Sequence, residues 1–250
     1  TLSLHDALPI SVISGKMHNA IPRDGHVVFA VRNSDKEQVR ADWNIFASEV
    51  EDEFHVTEKE MQFFMESTDA TDVIEASVAE RIIMALQAID NGPLTTCQDE
   101  AIAWMVETSS NVASVATAEN QIDIVASQRS NVMSNLENMT NTVKAAFQLA
   151  GAKVSVSDKY PAWKMRANSA LTDLAVKSYE KLFDKEPLVK GIHAGLECGL
   201  FSEKYPELDM VSFGPTLRNV HTPQEALLIP TVEMVWDHLL EILRNVPQKA

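Results

Sequence analysis

Residues 107–116 and 122–128 read as two strands separated only by the polar turn Thr117-Ala118-Glu119-Asn120. A connection that short joins antiparallel neighbours, because a parallel crossover needs a dozen residues or more. The middle of the chain is therefore committed to a hairpin, and the flanking segments must supply the layer that covers it.

Upstream, Ser11–Gly15 and Gly25–Val31 read as extended segments around Asn19-Ala20-Ile21-Pro22-Arg23, and the β-branched, apolar Val27–Val31 suits a buried strand. Ser34-Asp35-Lys36-Glu37 has the form of a capping box, with Val39, Trp43, Phe46 and Val50 following at helical spacing. Residues 61–65 are expected as a strand. A second helix is expected over 73–90, with Val78, Ile82, Leu86 and Ile89 on one face and Asn91-Gly92-Pro93 as its stop. Leu136, Met139, Val143, Phe147 and Ala150 mark a third helix closed by Gly151, and residues 152–156 a further strand. The order predicts one antiparallel sheet with helices on one face.

The character changes at Tyr160-Pro161-Ala162-Trp163. From Ser169 a helix aligns Leu171, Leu174, Ala175, Tyr179, Leu182 and Phe183. A strand is expected at 188–192, then a Gly/Glu turn, a brief helix, a strand at 210–213 ending near Gly214-Pro215, and a loop opened by His221. In the last helix Pro230 occupies the first turn, and Val232, Val235, Trp236, Leu239 and Leu243 are expected on the buried face. Two strands and two or three helices do not close a core, so part of this region's sheet is expected from sequence outside the chain.

The 250 residues suffice for one large domain or two smaller ones, and 45% hydrophobic with 23% charged residues is an ordinary globular composition. A net charge of −15 argues against a nucleic-acid or anionic-membrane surface, since both would repel it. No apolar stretch approaches the roughly 20 residues that span a bilayer. Cys97 and Cys198 have no metal or redox spacing and read as unpaired thiols in a reducing cytoplasm. Residues 1–10 lack the basic start and apolar core of a signal peptide; they resemble a translated sequencing adapter ahead of a chain that begins partway through a protein.

Four residues carry candidate chemistry by type and position. His221, in a loop beyond a strand end, suits a metal ligand or a surface or capping histidine. Glu197, among Gly191, Gly195 and Gly199, could bind a metal, a substrate amine or a histidine beside a metal, or simply favour a helix N-terminus. Arg129 at a strand end could grip a carboxylate with both nitrogens, or be solvated. Asn19 could donate to an oxyanion or shape the turn before Pro22. No Ser-His-Asp, Cys-His or phosphate-loop pattern accompanies them.

The stretches Asn19-Ala20-Ile21-Pro22-Arg23, Val106–Val112, Leu149–Lys153, Tyr160-Pro161-x-Trp163, His193–Phe201, Asp209–Ser212, Gly214-Pro215 and the His221 loop occur in an order that resembles the aminoacylhistidine dipeptidases. These Xaa-His or cytosolic non-specific dipeptidases belong to the binuclear zinc peptidases. The resemblance spans about residues 13–247. It implies an α/β chain with a ferredoxin-like α+β lid domain, truncated at its start, over 11–160. The C-terminal part of a zinc-peptidase α/β catalytic domain follows over 161–250.

The implied activity is cytoplasmic hydrolysis of unblocked dipeptides by water activated between two zinc ions, with a homodimer among the arrangements. His221 would ligate one zinc, Asn19 would meet the substrate oxyanion, Arg129 its carboxylate, and Gly195 and Glu197 would border the substrate. The family loop reads His-Ser-Pro-Asp-Glu where this chain has His221-Thr222-Pro223-Gln224-Glu225. The other ligands and the catalytic carboxylate would precede residue 11, so no catalytic residue is assigned within the chain and inactivity of the chain alone is expected. Two rivals remain: a stand-alone lid-type binding or dimerisation module, and an enzyme of the same kind acting on N-acyl amino acids or tripeptides.

Overall fold

The computed structural model describes residues 7–69, 72–98, 103–163, 166, 168–191, 196–220 and 224–247. They form two compact units of interleaved segments. The first takes the described residues through Gly92 with Ser110–Gln128 and Asn138–Ser155; the second takes Pro93–Ser109, Arg129–Glu137 and the described residues from Val156 onward.

In the first unit, β1 (Ala7–Ser14) and β2 (Gly25–Val31) are antiparallel. Ala7–Ile10, read from the sequence as adapter-derived, are taken up in β1, with Ala7 opposite Val31 and Leu8 opposite Ala30. The register shifts between Pro9, opposite Phe29, and Ser11, opposite Val28, so that Ile10 is skipped beside a proline that has no N–H to donate. β1 also runs antiparallel to β4 (Val106–Thr117), Ile13 facing Ala116 and Ser14 facing Val115. β4 turns into β5 (Ile122–Ser130) through Ala118 N–H donating to the Gln121 carbonyl at 2.8 Å, the predicted hairpin.

Helices α2 (Ala76–Ala88) and α3 (Met133–Leu149) bring Ala85, Val143 and Phe147 together with Ile89 as the buried core, against Val112, Ile124 and Ala126 of the hairpin. Gly151 closes α3 with a left-handed φ of 84°, and Ala152 N–H returns to the Phe147 carbonyl at 2.9 Å. Helix α1 (Lys36–Phe54) starts without the predicted capping box: Asp35 is already helical, and its carboxylate accepts from Ser34 Oγ at 2.8 Å.

Four predicted strands are absent among the described residues. Residues 61–65, 152–156, 188–191 and 210–213 carry no strand. Apolar spacing does not separate a paired strand from coil whose side chains are packed. Phe63 meets the rings of Trp43 and Phe46, and Phe213 lies 4.9 Å from the His238 ring. Conversely, the Gly92-Pro93 breaker begins β3 (Gly92–Thr96), entered through a φ of 113° at Gly92.

The second unit holds β3 beside the start of β4, with Cys97 N–H donating to the Met105 carbonyl at 2.9 Å. Helix α4 (Ala170–Phe183) begins where expected and is capped by Ser169, whose hydroxyl accepts from Thr172 N–H at 2.9 Å and donates to Asp209 Oδ1 at 2.7 Å. Asp209 Oδ2 accepts a second first-turn N–H, from Leu171, at 2.9 Å. The short α5 (Glu197–Lys204) is followed by a two-residue pairing of β6 (Leu217–Arg218) with β7 (Ala226–Leu227) and by α6 (Pro230–Asn245).

Helix α6 packs on α4 by a face the apolar pattern did not indicate. Its buried residues are His238, Glu241 and Ile242, while Val232, Trp236 and Leu243 of the predicted face are exposed. Polar partners decide this. His238 Nε2 bonds the Ala175 carbonyl at 2.8 Å, and Glu241 accepts from Lys181 Nζ at 2.6 Å and Asn245 Nδ2 at 2.9 Å.

Candidate functional site

Asn19 stands exposed in the turn between β1 and β2. That turn is fixed from outside: Asn111 of β4 donates through Nδ2 to the Ala20 carbonyl at 2.9 Å, and Gly15 enters it at a φ of 68°. A Cβ on Gly15 would lie 2.0 Å from the Ala113 carbonyl oxygen, so only glycine allows the close approach. Asn111 has no assigned role from sequence; its signal was its place in the Val106–Val112 stretch.

Arg129 is the penultimate residue of β5, half-buried, in the second unit. The residues after it are tied to the start of β4. Ser130 Oγ and Thr108 Oγ1 are 2.9 Å apart, and Ser130 Oγ also accepts from Val132 N–H at 3.0 Å. Asn131 N–H donates to the Glu107 carbonyl at 3.1 Å. The Glu107 carboxylate accepts from Asn135 Nδ2 at 2.6 Å and from Thr95 Oγ1 at 3.3 Å. Glu107, Thr108, Ser130 and Asn131 are all buried, and Asn131 Nδ2 faces Cys97 Sγ at 3.4 Å. Hydropathy gave no sign of this cluster, because polar residues at strand ends read as solvated.

Glu197 opens α5 in its first turn, where the helix dipole favours a carboxylate. Burial, ahead of the repulsion from Glu197, pushes both the Tyr160 phenol and the Cys198 thiol above their ordinary ranges. Gly199 explains the tight approach of α5 to Tyr160-Pro161: a Cβ there would lie 2.3 Å from the Pro161 carbonyl oxygen. Asp209 is held below the usual carboxylate range. Burial, the largest influence, acts upward, but the Leu171 N–H, the Ser169 hydroxyl and Arg166 together outweigh it.

Gly195 and His221 lie outside the described residues. The flanks of the His221 loop are described: β6 pairs with β7, Leu228 N–H donates to the Thr216 carbonyl at 2.9 Å, and Thr216 N–H to Thr231 Oγ1 at 2.9 Å. Asn219, at a left-handed φ of 51°, donates to the Gln224 carbonyl at 3.4 Å. The flanks are therefore joined by a short ladder at 217–218 and 226–227, while the strand expected over 210–213 is absent. Among the described residues no group of three or more His, Cys, Asp or Glu side chains is arranged to hold a metal ion. None of their helices is long and apolar enough to cross a membrane.

No protein-family profile matches the chain. It is 34% identical over 237 residues to the cytosol non-specific dipeptidase of Escherichia coli (strain K12), a match covering 94% of this chain and 48% of that protein. Its fold matches the crystal structure of aminoacylhistidine dipeptidase from Vibrio alginolyticus with a TM-score of 0.84 at 33% identity, over 98% of this chain and 50% of that one. The aminopeptidase PepT of Bacillus cereus shares the fold more distantly, with a TM-score of 0.52 at 19% identity over 68% of this chain and 45% of that one. The chain thus spans about half the length of the relatives it matches.

Proposed function

We propose that the chain belongs to the aminoacylhistidine dipeptidase family and is the C-terminal half of a cytoplasmic zinc dipeptidase acting on unblocked dipeptides such as Xaa-His. In this reading residues 11–160 are most of the lid domain, residues 161–250 the closing segment of the catalytic domain, and residues 1–10 adapter-derived. The observation that supports it is a likeness running through nearly the whole chain in both sequence and fold.

The chain's own residues then have limited tasks. The Arg129 guanidinium, set at a strand end, binds the substrate carboxylate with a planar fork. The Asn19 side-chain amide donates to the carbonyl oxygen as it gains charge. Glu197, with Gly195, borders the substrate from the first turn of α5. His221 supplies one ligand to a zinc ion. A catalytic zinc takes about three protein ligands and a water, and no such group is arranged among the described residues, so in this reading His221 would join ligands supplied from elsewhere in the enzyme. The remaining ligands belong to the other half of the enzyme.

The test is hydrolysis of Ala-His and Gly-His with added zinc. The 250-residue chain is expected to be inactive, and a protein that joins it to the preceding half is expected to turn both over. Robust turnover by the chain alone would overturn the reading.

A further inference from the structure

We infer that Glu107 and Thr108 form a clamp that sets the register of Arg129, making Glu107 a positioning residue for capture of the substrate carboxylate. The inference rests on the proposed role of Arg129. Along a strand, successive side chains point to opposite faces, so fixing Ser130 on one face fixes Arg129 on the other. A slip of one residue would exchange them.

Two contacts hold that choice from β4: the Thr108–Ser130 hydroxyl pair at 2.9 Å and the Asn131 N–H to the Glu107 carbonyl at 3.1 Å. A third comes from the Glu107 carboxylate, which accepts from Asn135 on the first turns of α3 at 2.6 Å and from Thr95 on β3 at 3.3 Å. One side chain of β4 thereby ties β3 to the start of α3, just past the β5–α3 junction.

The cost of the arrangement argues that it serves geometry. Glu107, Thr108, Ser130 and Asn131 are all more than nine-tenths buried, and Asn131 Oδ1 has no hydrogen-bond partner. Burying four polar side chains is less favourable than burying apolar ones of the same size, whereas the hydrogen bonds they do make permit fewer alternative packings. A bidentate grip needs that restriction. Its two bonds form only when the fork is aimed, and a misplacement of about 1 Å is enough to cost on the order of 100-fold in rate.

The test uses the complete dipeptidase that contains this chain, with Ala-His and its C-terminal amide as paired substrates. Glu107→Ala is expected to raise KM for the free acid about tenfold with a smaller change in kcat, and to reduce the preference for acid over amide by a similar factor. Glu107→Gln, which keeps an acceptor oxygen, should restore most of that preference. Ser130→Ala, a milder change, should lower it in the same direction and serves where Glu107→Ala fails to fold. In an Arg129→Ala background, Glu107→Ala should reduce the preference no further.

An unchanged acid-to-amide preference in Glu107→Ala and Ser130→Ala, or an additive double variant, would overturn the clamp while leaving Arg129 in place. An unchanged preference in Arg129→Ala would instead overturn the reading on which the clamp stands.

Discussion

At the scale of single residues, two contacts make stability predictions that do not depend on catalysis. Gly199→Ala puts a methyl group against the Pro161 carbonyl, a backbone atom that cannot rotate away. Chemical denaturation should show a loss of about 1–3 kcal/mol, the usual cost of overpacking. Gly214→Ala is the control, since a Cβ there meets nothing within 4 Å.

Asp209 gives a pH prediction with a definite sign. Its carboxyl titrates lower in the folded chain than in the unfolded one, so the unfolded state takes up the proton first. The stabilisation is therefore fully present above the unfolded pKa of about 3.9 and is lost as pH falls through the depressed folded value. The stability difference between the native chain and Asp209→Ala should be flat near neutrality and shrink only below about pH 4. A difference that stayed constant down to pH 2 would mean the carboxylate does not cap α4.

Among elements, the α4–α6 pair shows how polar chemistry can choose a helix face. His238 sits between Tyr179 and Phe213 with its ring nitrogen on the Ala175 carbonyl, 63 positions away in sequence. His238→Phe keeps the ring and removes the bond; a loss of about 1 kcal/mol is expected in urea titrations. His238→Ala should lose about 2–4 kcal/mol, because ring packing goes as well. If the two variants lose the same amount, the ring contacts contribute nothing and the hydrogen bond alone orients α6.

At the scale of the molecule, the apolar stripe that α6 leaves exposed is the consequence most directly tied to the proposed function. Trp236 is 57% exposed, with Val232 and Leu243 also open to solvent. If the chain is half of an enzyme, this face is covered in the whole one. Acrylamide quenching of Trp236, isolated by difference against Trp236→Phe, should be strong in the 250-residue chain and much weaker in the complete protein. Equal quenching in both would place the junction between the halves elsewhere.

What the sequence alone determined lies close together along the chain. The 107–128 hairpin, the α3 stop at Gly151 and the start of α4 next to Ser169 are local, and local propensities decide them. The candidate residues Asn19, Arg129, Glu197 and His221 were legible through ordered motifs, as a resemblance and not as a geometry. The tertiary structure alone decided which apolar runs became strands, since residues 61–65 and 210–213 fit a strand pattern yet only a partner's hydrogen bonds make one. It also decided the buried face of α6 and the polar ties around Arg129. Those depend on atoms meeting across 12 to 63 positions of chain, from Thr95 with Glu107 to Ala175 with His238, and hydrophobic periodicity carries no information about such polar meetings.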